Sequence, residues 1–139
     1  MGGLFLLALK DYIQSTMYRY FSNRDFQTAI PSCNIEDMST DLLEKLDIAR
    51  YFAGVPFVIN SAYRTLGWEL DHARDGSSSH TKGFAVDINV KESRYRYLIV
   101  KALLKAGFDR IGIHDDFIHV AIDDNKDSEV IWNYCNKNK

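Results

Sequence analysis

Proline, cysteine and glycine are all scarce in this chain: two, two and eight among 139 residues. So little proline and glycine excludes a collagen-like repeat and long low-complexity tracts. Cys33 and Cys135 lie far apart, and neither has a second Cys or a His at zinc-finger spacing. That argues against both a disulfide framework and a cysteine-based zinc site, and free thiols are expected. Neither sign of charge dominates. The formal net charge is −2, which gives no electrostatic reason to expect nucleic acid as a partner, and the basic run "KESRYRY" reads as the wet face of a helix. Long apolar runs are also missing. Leu4 to Leu9 is too short to span a bilayer, and it lacks the basic flank and small-residue cleavage site of a signal peptide. It reads as the start of a buried helix. The expectation is a chain without membrane insertion, cytoplasmic on synthesis.

What remains is an ordinary globular composition, 46% hydrophobic and 26% charged, enough to bury one core over residues 1–139 as a single domain. "STDLLEKLDIARYFAG" predicts a helix capped by Ser39 or Thr40, with Leu42, Leu46, Ala49 and Ala53 on one face and Gly54 as its stop. "VPFVINSAYR" reads as a short strand, "TLGWELDHARDG" as a short helix, "SSSHTKG" as a loop. "FAVDINV" reads as a strand placing Ala85, Asp87 and Asn89 on one face. The strongest helical pattern is "SRYRYLIVKALLKAG", with Tyr95, Leu98, Ile99, Ala102, Leu103 and Ala106 at helical spacing and Gly107 after it. "FDRIGIHDDFIHVAID" predicts a hairpin around an "HDD" turn. The fold class expected is α+β, a central antiparallel sheet flanked by helices.

Four histidines bear on chemistry: His72, His80, His114 and His119. A catalytic zinc takes three protein ligands and leaves a position for water, whose proton a nearby carboxylate can remove. His80, Asp87 and His119 would supply two nitrogens and one oxygen. Asp116, three residues before His119, could be turned back over the metal. Gly83 and Ala85, between the first two candidates, would permit a tight bend and leave room for substrate. Arg64, at the end of "INSAYR", could bind a substrate carboxylate or steady an oxyanion, or simply pair with Glu69 or Asp71. Spacing alone leaves a metal site and a polar loop entering a strand equally open.

Taken in order, "INSAYR", "SSHTKGFAVDI", "GFDRIGI" and "FIHVAID" resemble the zinc D-Ala-D-Ala peptidase family, from about Asp41 to Trp132. Its members are D-alanyl-D-alanine carboxypeptidases and L-alanyl-D-glutamate endopeptidases, related in fold to VanX dipeptidases and the Hedgehog signalling domain. The resemblance implies a Zn²⁺ ion held by His80, Asp87 and His119 on the central sheet. It also implies Asp116 as general base, Arg64 as the carbonyl-polarising arginine and Ser78 as a substrate contact. The implied partner is a peptidoglycan stem peptide, met after phage-mediated release or as part of a virion, by a protein expected to be monomeric. One departure stands out: where the family often has an acid two residues after the last ligand, this chain has Ala121.

Two other readings compete. Non-haem iron oxygenases also use two histidines and a carboxylate, but usually in H-x-D, and six residues separate His80 from Asp87. A zinc-containing binding module of the Hedgehog kind would keep the metal site without catalysis. His114, five residues before His119, is an alternative ligand but is expected in the turn or behind the ligands, and His72 is expected to be a surface or structural residue.

Overall fold

The computed structural model describes Gly3 and residues 17–134. The apolar segment Leu4–Leu9, read as the start of a buried helix, and the second cysteine, Cys135, both lie outside the described residues. Cys33 is a free, buried thiol.

The helices arise from their caps and apolar spacing. After a short helix, α1 (Asn23–Gln27), comes α2 (Thr40–Ala53), which starts where the Leu42 N–H bonds to Ser39 Oγ and ends at Gly54 with φ +68°. It buries Leu42, Leu43, Leu46, Ala49 and Ala53, the face read from the sequence plus one neighbour. The next helix, α3 (Leu66–Asp71), is capped by Thr65. The last, α4 (Ser93–Lys105), packs against α2 and buries Ile99, Ala102 and Leu103. Tyr95 does not join that face. It lies in the first turn and stays exposed, and the buried face of the helix begins only at Ile99. Among the described residues no helix is long and apolar enough to cross a membrane.

Among the described residues five strands form one sheet in the order β1-β2-β4-β3-β5. They are β1 (Ile59–Ser61), β2 (Ala85–Asn89), β3 (Arg110–Ile113), β4 (Phe117–Ala121) and β5 (Val130–Asn133). The expected hairpin is β3–β4, and the first four strands pair antiparallel. β5, which no sequence pattern announced, adds parallel to β3, so the sheet is mixed. The fold is thus α+β, with helices against the sheet. Ile59, Val86, Ile88, Ile111, Ile118 and Val120 supply the buried apolar face of the sheet.

The stretch before β2 is no simple loop. Ser79–Lys82 forms a 3-10 turn, and Gly83 comes next at φ +71°. A Cβ there would sit 2.3 Å from the Asp37 carbonyl oxygen, while the Gly83 carbonyl accepts the Ser39 N–H at 2.9 Å. Gly83 therefore serves to lock the turn onto the start of α2, and space for substrate is not its reason. Ala85 is fully buried opposite Ala121. Gly83→Ala combines left-handed backbone strain with an overlap against backbone and should destabilise by about 2–4 kcal/mol. Thermal unfolding should show it as a loss of roughly 5 °C or more in Tm.

Candidate metal centre

The strand register builds the site. One row of paired residues crosses the whole sheet: Ser61 beside Asp87, Asp87 beside His119, His119 beside Gly112, Gly112 beside Trp132. Residues in such a row share a face. Gly112 has its place here because a Cβ would lie 2.7 Å from the Trp132 ring. The bare glycine lets the indole lie across β3, its centroid 5.7 Å from that of His119.

His80 reaches the same point from the 3-10 turn. Its Nδ1 lies 2.6 Å from the Ala62 carbonyl, which can only accept, so Nδ1 carries the hydrogen. In the neutral ring Nε2 then has a lone pair, and it faces Asp87 Oδ1 at 3.2 Å. His119 Nδ1 lies 2.8 Å from the same oxygen. A lone pair set against a carboxylate oxygen is repulsive unless a cation, proton or metal, lies between them. One ligand atom from each of His80, Asp87 and His119 falls within 4.8 Å of the others. Two imidazoles and a carboxylate are the donor set of a catalytic zinc site, so the residues present fit the ion.

The protonation states suit that use. Burial lowers the His119 pKa, outweighing the upward pull of Asp87, and keeps the imidazole neutral. Burial would raise the Asp87 carboxyl, but the hydrogen bond from His119 Nδ1 holds it well below the usual carboxylate range. Both shifts mean that the folded, metal-free chain binds fewer protons than the unfolded one. Its stability should therefore fall as pH drops below about 6.5, through His119, and further below about 3.8, through Asp87. A series of metal-free denaturant titrations checks this; constant stability from pH 7 to 5 would contradict it.

Arg64 is buried beside the cluster. Its Nε donates to Ser61 Oγ at 2.9 Å and its Nη2 to Asp87 Oδ2 at 3.2 Å, with Glu69 at 3.9 Å from Nη1. Arg64 pairs with Glu69, in the interior and not at the surface, and it also lines the cleft. A cleft of about 400 Å³ opens over the cluster, walled by Arg64, Arg74, Ser78 and the aromatic set His114, Phe117 and Tyr134. Ser78 Oγ also accepts the His80 N–H, starting the turn that carries the ligand.

Asp116 is not brought into this wall. It is exposed in the turn between β3 and β4, where its N–H donates to His114 Nδ1 at 3.1 Å. His114 lies outside the three-residue cluster and stacks on Phe117, with centroids 4.4 Å apart. His72 is exposed, stacked on Trp68, and bonds the Trp68 carbonyl. Where the family pattern has an acid, Ala121 is fully buried. The acid nearby is Asp123, which accepts from Ser79 Oγ at 2.7 Å and so steadies the turn bearing His80. Arg74 and Tyr134 carry no sequence signal of their own and read in the sequence as ordinary surface residues; Glu69, raised only as a partner for Arg64, is fully buried.

A family model described as peptidase M15 matches residues 20–121. No curated protein matches the chain. The match takes in Arg64, His80, Asp87, Asp116 and His119, and with it the chain belongs to the peptidase M15 family, whose members are zinc-dependent.

Proposed function

We propose that this member of the peptidase M15 family hydrolyses a peptidoglycan stem peptide at a bond next to a D-amino acid, as a D-Ala-D-Ala carboxypeptidase or an L-Ala-D-Glu endopeptidase. The observation that carries the reading is the meeting of His80, Asp87 and His119 in an open cleft with Arg64 alongside. His80 Nε2, Asp87 and His119 Nδ1 would hold the metal. When bound, zinc supplies a Lewis acid that acidifies water and polarises a carbonyl.

The chain's own residues do the rest. The guanidinium of Arg64, fixed by Ser61 and Asp87, presents positive charge where the scissile carbonyl oxygen becomes an oxyanion. Ser78 offers a hydroxyl on the cleft wall to the substrate backbone. Asp116 takes the proton of the attacking water and returns it to the leaving amine. Its place three residues before His119, in the hairpin turn whose His114 lines the cleft, supports that role, and the role requires its carboxylate to swing over the cleft once substrate is present. His114 is the other group near enough to compete. Its Nδ1 accepts the Asp116 N–H, so a neutral ring carries its hydrogen on Nε2, which suits a donor and not a base. We place the protein's action at the cell wall, after phage-mediated release or as a virion component, as a monomer with no nucleic-acid partner.

Mass spectrometry of purified muropeptides after incubation with the zinc-loaded protein tests the reading. Loss of a terminal D-Ala identifies a carboxypeptidase, and cleavage after L-Ala an endopeptidase. Unchanged muropeptides would favour the zinc-containing binding module.

A further inference from the structure

Glu69 has no exposed surface, and among the described residues neither of its carboxylate oxygens has a hydrogen-bond partner. A buried charge is tolerated only when countercharge stands close. Here two arginines provide it: Arg64 Nη1 at 3.9 Å and Arg74 Nε at 3.4 Å from the same Glu69 oxygen. Both guanidinium carbons also lie over the Trp68 ring, at 5.1 and 5.5 Å from its centroid. One short helix, α3, thus carries on successive residues a ring and a carboxylate that together hold two guanidinium groups, and both arginines line the metal cleft.

The two arginines differ in what they have left to offer. Arg64 is buried and already engaged with Ser61, Asp87 and Glu69. Arg74 meets Glu69 through Nε, and its side chain is 48% exposed. Its remaining N–H groups form a planar fork suited to a carboxylate. Among the described residues the wall contributes no carboxylate facing that fork: the acid lining the cleft is Asp87, whose oxygens are taken by Arg64 and the histidines.

We propose that Arg74, aimed by Glu69 and Trp68, is a specificity-determining residue that receives a free carboxylate on the substrate residue just past the scissile bond. The inference rests on the proposed peptidase reading and narrows it. Both candidate bonds meet the requirement. The terminal D-Ala of a D-Ala-D-Ala peptide carries its α-carboxylate there, and so does a D-Glu linked onward through its side chain. Amidating that carboxylate removes the charge and leaves the shape nearly unchanged.

The test compares matched stem peptides, acid against amide: D-Glu against D-isoglutamine at the second position, and free against amidated C-terminal D-Ala. Two readouts are taken, kcat/KM with the zinc-loaded protein and calorimetric Kd with the metal-free protein. For the pair that is cleaved, the acid should be preferred tenfold or more in both, in line with a charge-assisted pair. Arg74→Gln should bring both ratios close to one with metal content unchanged, and Arg74→Lys should restore part of the preference. Equal handling of acid and amide by the parent protein, or an undiminished preference in Arg74→Gln, would overturn the proposal. A Kd preference for the acid without any hydrolysis would overturn the peptidase reading and leave the carboxylate receptor standing.

Discussion

Replacing His80 with alanine should leave a folded protein that no longer retains zinc and has lost roughly 10³-fold or more in peptide hydrolysis. The size of the effect comes from how His80 is held. Its Nδ1–H is committed to the Ala62 carbonyl, and its own carbonyl accepts the Arg64 N–H at 3.2 Å, so no freedom remains to reorient another group into its place. The ring is 2% exposed, and His119 lies with its centroid only 5.1 Å away. Removing the imidazole leaves one nitrogen and one carboxylate, too few for a structural or catalytic zinc site. Elemental analysis of the purified variant alongside its activity checks the result. Full metal content in His80→Ala would remove it from the ligand set.

Asp116→Ala should separate the two properties that His80→Ala loses together. The aspartate contributes no atom to the cluster, so the variant should retain metal like the parent. If Asp116 handles the proton, turnover should fall by about 10²- to 10⁴-fold, the range general acid–base catalysis supplies. KM should move little, because a base acts on the attacking water and not on substrate affinity. The backbone N–H of Asp116, which positions His114, is untouched by the substitution. Near-normal turnover would reject the role.

The parts of this structure legible in the sequence are those where one residue's chemistry fixes its place. Ser39 and Gly54 bound α2 because a hydroxyl can accept from the first free N–H and glycine can take a positive φ. His80, Asp87 and His119 are readable as a donor set, and the β2–β4 register sets Asp87 opposite His119. The hairpin at "HDD" is readable from two apolar runs flanking a polar turn. What escapes reading depends on contacts distant in sequence. β5 is a four-residue edge strand with alternate residues exposed, entered through Glu129 at φ +57°, and nothing local marks it as the parallel partner of β3. The purpose of Gly83 is visible only once Asp37 is known to press on it. Glu69 and Arg74 sit in a polar, charged stretch, and only the fold shows that one is buried and the other borders the cleft. Tyr95 falls at helical spacing but before the helix reaches the core.

Metal binding and catalysis both depend on three side chains, from a turn and two strands, forming one zinc site. Anomalous diffraction at the zinc edge, from crystals of the zinc-loaded protein, tests this directly. A single strong peak is expected, bonded to His80 Nε2, Asp87 and His119 Nδ1 at about 2.0–2.2 Å, the ordinary range for nitrogen and oxygen ligands. A cleft without a peak in zinc-saturated crystals, or a zinc ion held by other residues, would contradict it.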